Sequence, residues 1–268
     1  MNINIFKFLP IFAASAVANA SETSPAVGDI VRMGQQSYMI VFDFNSYPKY
    51  EEFQRNVQIM KATDATMKSL KEQIKKETDA QIKKSLELKL KQIDGEFQAN
   101  DKTMVGGYNF SSNRQYVVLF LKTNICVPIS PEEYSSYTFK DGTKINPLEI
   151  VTKSGKHFYR KSTVEGFKAN DEFQRALQYS MKTRNEIASL RKQLETSTDV
   201  NELAKISEKI ASYEKALKES EDAMKEKYEM GSGQYMIEIE KSKLLLLLTP
   251  EELAKLEAER TLKKQEKN

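Results

Sequence analysis

Glu52-Phe53-Gln54-Arg55 returns as Glu172-Phe173-Gln174-Arg175, a shift of 120 positions, and the reading of the chain turns on how far that match extends. Upstream, Ile30-Val31 matches Ile150-Val151 and Tyr38 matches Phe158. Downstream, Phe53, Val57, Met67, Leu70 and Ile74 fall on Phe173, Leu177, Ile187, Leu190 and Leu194. Leu86, Leu90, Ile93 and Phe97 then fall on Ile206, Ile210, Tyr213 and Leu217. Beyond these the shift becomes 119, because Gln115-Tyr116 matches Gln234-Tyr235 and Pro131-Glu132-Glu133 matches Pro250-Glu251-Glu252. Colinear agreement of apolar phase, charged blocks and turn residues over about a hundred positions is the mark of an internal repeat. The expected fold class is therefore α+β, a tandem duplication of one module. Each module would have a small β base of two β-hairpins, into which a long antiparallel helical hairpin of coiled-coil type is inserted.

Each copy opens with two strand candidates around a tight turn: 29–33 and 37–44 in the first, 148–153 and 157–162 in the second. Their β-branched and aromatic content supports strands. The period then changes: Phe53, Val57, Met60, Met67, Leu70 and Ile74 recur at helical spacing, a narrow apolar stripe between charged faces. Helical hairpins are expected over about 50–100 and about 170–228, with tips at 75–79 and 195–199 where Asp79 and Asp199 can cap the returning helix. An arm of about 25 residues would be about 40 Å long. Asp64 and Arg184 occupy matching stripe positions, where a polar residue fixes register.

After the hairpin, each copy shows two further strand candidates. These are 116–121 and 125–129 joined through Thr123-Asn124, and 235–240 and 244–248 joined through Ser242-Lys243. Ser130-Pro131-Glu132-Glu133 and Thr249-Pro250-Glu251-Glu252 carry the capping residue, Pro and Glu of a helix start. The five-leucine run reads as a buried strand. The expected organisation is a linker at 21–28, module 1 at 29–140, module 2 at 141–258, and a charged, frayed tail at 259–268.

Residues 1–20 read as a secretory signal peptide: Lys7, a mostly apolar stretch at 8–17, then Ala18-Asn19-Ala20 ahead of an expected cut after Ala20. No Cys stands at that point to carry a lipoprotein anchor, and no second apolar run is long enough to span a bilayer, so a periplasmic or secreted protein is expected. Cys126 is the single cysteine, so the fold is held by packing rather than an internal disulfide. Lys+Arg at 41 nearly balance Asp+Glu at 38, which argues against a nucleic-acid partner.

Motifs of catalysis or cofactor binding are missing from the chain. His157 is the only histidine, which removes most His-based zinc sites and leaves one position for any Ser-His-Asp triad. Gly106-Gly107 does not open a helix and reads as the exit from one. Tyr108, Phe110 and Tyr116 interleave with too few basic residues for a nucleic-acid platform. Met60 and Met67 could offer an adaptable client surface or pack in a core. No catalytic, cofactor or metal residues are assigned, no cofactor is expected, and partner-contact residues are not identified.

The strand Met39-Ile40-Val41-Phe42-Asp43, the Tyr47-Pro48-Lys49 exit and the long charged hairpin returning to strands resemble the periplasmic Skp/OmpH chaperones. The chain departs from that family in carrying two modules and in lacking its long second-arm extension. The leading expectation is an exported, non-enzymatic protein-interaction or structural protein of the cell envelope, contacting protein partners or itself through the hairpins. The resemblance implies the alternative, a holdase for unfolded envelope proteins.

Overall fold

In the computed structural model, residues 25–230 and 235–265 are described; the expected signal peptide at 1–20 lies outside the described residues. Strand β1, Ile30–Met33, turns back into β2, Gln36–Phe44, through Gly34, whose φ of 61° a hairpin turn requires. Helix α1, Tyr47–Lys76, has a proline in its first turn and is followed after residues 77–79 by α2, Ala80–Tyr108. The Asp79 carboxylate caps α2 by accepting from the backbone N–H groups of Gln81 and Ile82, and Asn109, in the left-handed region, closes it. Then come β3, Tyr116–Ile129, and α3, Pro131–Ser136. A 3₁₀ turn at Pro147–Glu149 leads into β4, Ile150–Lys153, and β5, Lys156–Glu165. The chain continues with α4, Phe167–Thr196, and α5, Val200–Tyr228, and ends with β6, Met236–Leu247, and α6, Pro250–Gln265.

The fold is mixed α+β, with six helices and a six-stranded antiparallel sheet of order β1-β2-β6-β3-β5-β4 among the described residues. The second pair of β-hairpins does not form. Residues 116–129 and 236–247 are each one continuous strand, so Thr123-Asn124 and Ser242-Lys243 lie mid-strand rather than in turns. The sequence misleads here because polar dipeptides between apolar runs look like loops. These four side chains are instead buried in the sheet, and the reason it holds them lies in neighbouring strands. Helix α6 likewise runs through Gln265, past the start of the expected frayed tail: Arg260 donates to the Gly28 carbonyl, and Arg32 and Glu257 pair at 3.2 Å.

The chain forms two compact units, Phe120–Glu240 being one and the sequence on either side of it the other. Strands β3 and β6 are both divided between them. In the flanking unit β2 pairs with the C-terminal half of β6, Ile40 facing Leu245 and Phe42 facing Leu244. In the central unit β5 pairs with the C-terminal half of β3, Ser162 facing Ile125 and Arg160 facing Cys126. The flanking unit thus completes its sheet with a strand from near the C-terminus, and the central unit uses the second half of a strand that begins in the flanking one.

The flanking unit buries Phe44, Phe53, Met60, Met104, Tyr108, Phe110 and Leu244 in one core. Its rings meet edge-on or tilted, Phe53 lying 5.0 Å from Phe44 and 5.1 Å from Tyr108, the geometry aromatic quadrupoles favour. In the central unit Ile125, Val164, Phe173, Met224 and Tyr228 join helices to sheet, whereas Ile187, Leu190, Ile206 and Ile210 join α4 to α5 alone. Ion pairs show that these helices run antiparallel, since Glu172 pairs with Lys227, Arg184 with Glu221 and Arg191 with Glu214.

Candidate functional site

Thr123 and Asn124 sit at the middle of β3 and organise a polar network in the central unit. The Asn124 side-chain amide donates to Glu238 at 3.0 Å and to Glu240 at 2.9 Å, while its carbonyl accepts from the Thr163 hydroxyl at 2.9 Å. Arg160 grips Glu238 with two bonds, Nε at 2.7 Å and Nη2 at 3.1 Å, the fork geometry that guanidinium and carboxylate share. Glu238 is only 5% exposed, so this pairing is what makes its burial tolerable. Lys122 adds a 3.0 Å bond to Glu240. Burial by itself would raise the Glu240 carboxyl, but hydrogen bonds from Asn124 and Lys122 outweigh it and hold the group below the usual range. Thr123 donates to Asn170, whose amide donates in turn to the carbonyls of Val164 and Gly166 at 2.9 and 2.8 Å, tying β3 to the start of α4.

Chemically this network is saturated. Each carboxylate already faces a cation or an amide, an arrangement that fixes strand register. In the flanking unit the equivalent positions are simpler: Lys243 pairs with Asp43 at 2.5 Å, and the buried Ser242 hydroxyl has no hydrogen-bond partner among the described residues.

Of the residues singled out in the sequence, Met60, Met67, Tyr108, Phe110 and Tyr116 come together in the flanking core, whereas His157, Cys126 and Arg184 do not join them. His157 stacks on Tyr134, ring centroids 3.7 Å apart, and its Nδ1 lies 2.9 Å from the Thr152 hydroxyl. Cys126 is fully buried, and burial, reinforced by the Glu238 charge, pushes its thiol up to about 12, far from a reactive thiolate. Gly106 and Gly107 lie inside α2, so they neither cradle a phosphate nor form the helix exit, which falls at Asn109. Tyr108, Phe110 and Tyr116 are core residues, so they offer no stacking platform. Met60 and Met67, at 1% and 5% exposure, are core as well. Asp64 is buried in the α1 stripe beside Lys68 at 2.6 Å, and Arg184 reaches across to Glu221 at the same distance. No cluster of three or more His, Cys, Asp or Glu side chains suited to a metal ion occurs among the described residues.

No family model, curated protein or solved structure matches the chain.

The remaining candidate surface is the outside of the hairpins. Ile59, Ile82, Leu88 and Val105 on the first, and Tyr179, Met181 and Val200 on the second, are 43–78% exposed. A shallow depression of about 420 Å³ along α4 is lined by Gln178, Met181, Lys182, Asn185, Glu186 and Ser189, a single helix face rather than a cleft. Among the described residues no helix is long and apolar enough to cross a membrane. Sequence reasoning missed the Asn124, Arg160, Glu238 and Glu240 network, because the partners lie up to 116 residues apart and no local spacing joins them.

Proposed function

We propose that the chain is an exported, non-enzymatic interaction or structural protein of the cell envelope whose contact surfaces are its two helical hairpins. One observation carries this reading: Ile187, Leu190, Ile206 and Ile210 form a core of α4 and α5 alone, with no sheet residue in it. Helices of 30 and 29 residues, roughly 45 Å each, are far longer than a sheet base needs for cover. Such a hairpin satisfies its own apolar stripe and leaves its charged outer faces for a partner.

The tandem duplication belongs to the same proposal, with ancestral modules at 29–140 and 141–258. In its support, α4 and α5 begin and end 120 positions after α1 and α2. Val41 and Lys161, also 120 apart, are the bulge positions of β2 and β5. Ser130 and Thr249 each form a capping box with a glutamate three residues on. The signal peptide, with cleavage after Ala20, is the export half of the reading. For a Skp-like holdase, the methionines that suggested it are largely spent in cores, Met181 being the exposed exception at 65%.

The test is site-specific photo-crosslinking in the native envelope, with the photoreactive residue at the exposed Asp94 of α2, at Lys205, or at Lys140 in the loop after α3. Specific protein adducts at the hairpin positions and none at Lys140 are expected. Adducts confined to Lys140, or a reproducible turnover from the purified chain, would overturn the reading.

A further inference from the structure

The two hairpin ends differ in charge. From Lys68 to Lys91 the first carries eight lysines against Glu72, Glu77, Asp79 and Glu87, a net of +4. The equivalent segment of the second, 188–211, carries Arg191, Lys192, Lys205 and Lys209 against Glu195, Asp199, Glu202 and Glu208, a net of zero. Three of these four acids are also occupied: Asp79 caps α2, Glu77 accepts from the backbone N–H groups of Thr78 and Asp79, and Glu72 pairs with Lys75 at 2.5 Å. Among the described residues Lys71, Lys76, Lys83, Lys84, Lys89 and Lys91 have no carboxylate at ion-pair distance, and all six are exposed.

Apolar side chains sit among these lysines. Leu88 is 62% exposed and lies on one face of α2 between Lys84, four residues before it, and Lys91, three after. Ile82, 51% exposed, stands in the first turn beyond the tip. In the second hairpin the positions of Leu88, Ile82, Lys84 and Lys91 are Glu208, Glu202, Ala204 and Ala211, so both the charge and the apolar side chains are particular to the first. An exposed leucine flanked by lysines, whose stems lie along apolar surface while their ammonium groups reach outward, suits the boundary between acyl chains and anionic headgroups. A nucleic-acid strand fits less well, because residues 68–91 include no aromatic side chain on which bases could stack.

We propose that the tip of the first hairpin docks on an anionic phospholipid bilayer, Lys76, Lys83, Lys84 and Lys91 meeting the headgroups and Leu88 entering the interface. This contact is separate from the protein contacts proposed above, and either can fail without the other. The test is co-sedimentation of the full chain with phosphatidylglycerol-containing vesicles and with phosphatidylcholine vesicles. Binding to the former alone is expected, released at high salt. The K76E/K83E/K84E/K91E variant should bind about 100-fold more weakly or worse, and Leu88→Ser several-fold more weakly. The K192E/K205E/K215E/K218E variant of the second hairpin should bind as the parent does, which also controls for any contribution from residues 1–20. Circular dichroism checks the fold, and Lys→Gln replacements at the same four positions serve if the reversal melts the helix. No binding to the anionic vesicles, unchanged binding by the first-hairpin variants, or equal affinity for a soluble single-stranded oligonucleotide with no effect of Leu88→Ser would overturn the proposal.

Discussion

Thr123 and Ser242 occupy equivalent places in the two long strands and differ in one respect that mutation can read. The Thr123 hydroxyl is bonded to Asn170, whereas that of Ser242 is buried without a partner among the described residues. Thr123→Ala should therefore destabilise by about 1–3 kcal/mol, because it strands a polar group on Asn170. Ser242→Ala should be neutral or stabilise by up to about 1 kcal/mol, since it removes a burial cost and no bond. Chemical denaturation of the two variants separates the cases. Arg160→Ala leaves the Glu238 carboxylate buried without its cation and should cost about 3–5 kcal/mol. Glu240 supplies a pH dependence. Its carboxyl titrates below its ordinary value in the folded state, so its contribution is full above the unfolded value and disappears as pH falls through the lower folded one. In Glu240→Gln, stability measured against pH should fall less steeply on the acid side than in the parent; an unchanged acid limb would contradict the assignment.

At the scale of elements, the helices were legible and the strand continuity was not. The stripe from Phe53 to Ile74, the Asp79 and Asp199 caps and the Ser130 and Thr249 starts are local signals, and local physics decides helices. Thr123-Asn124 and Ser242-Lys243 looked like turns because their compensation is non-local: Asn124 is satisfied by Glu238, 114 residues away, and Lys243 by Asp43, 200 away. The candidate contact surface was legible only as a charged face; which lysines lack a partner needed coordinates. The helix links give a prediction at this scale. Asp79→Ala and Asp199→Ala should each cost about 1 kcal/mol and fray the start of α2 or α5, seen as faster amide exchange there. Arg191→Ala, which breaks an exposed ion pair with Glu214, should cost no more than about 1 kcal/mol.

For the molecule as a whole, the consequence lies in where the strand halves go. A cut between β3 and β4 separates the sequence into halves, yet each half still contributes a strand to the compact unit that contains most of the other. A protease site placed at the exposed Asp141-Gly142-Thr143 turn should thus be cleavable in the folded protein without release of the pieces. The two fragments should co-elute in native size-exclusion chromatography and part only in denaturant. Separation under native conditions would show that the exchanged strands do not hold the halves together.

The pairing of β2 with β6 also sets a timetable during synthesis. Asp43 waits for Lys243, a separation of 200 residues, which at ribosomal rates of about 5–20 residues per second amounts to roughly 10–40 s. During that interval β2 has lost its inner neighbour, and the apolar side chains that Leu244 and Leu246 will cover stand open. That face of β2 therefore stays uncovered until the last strand has left the ribosome.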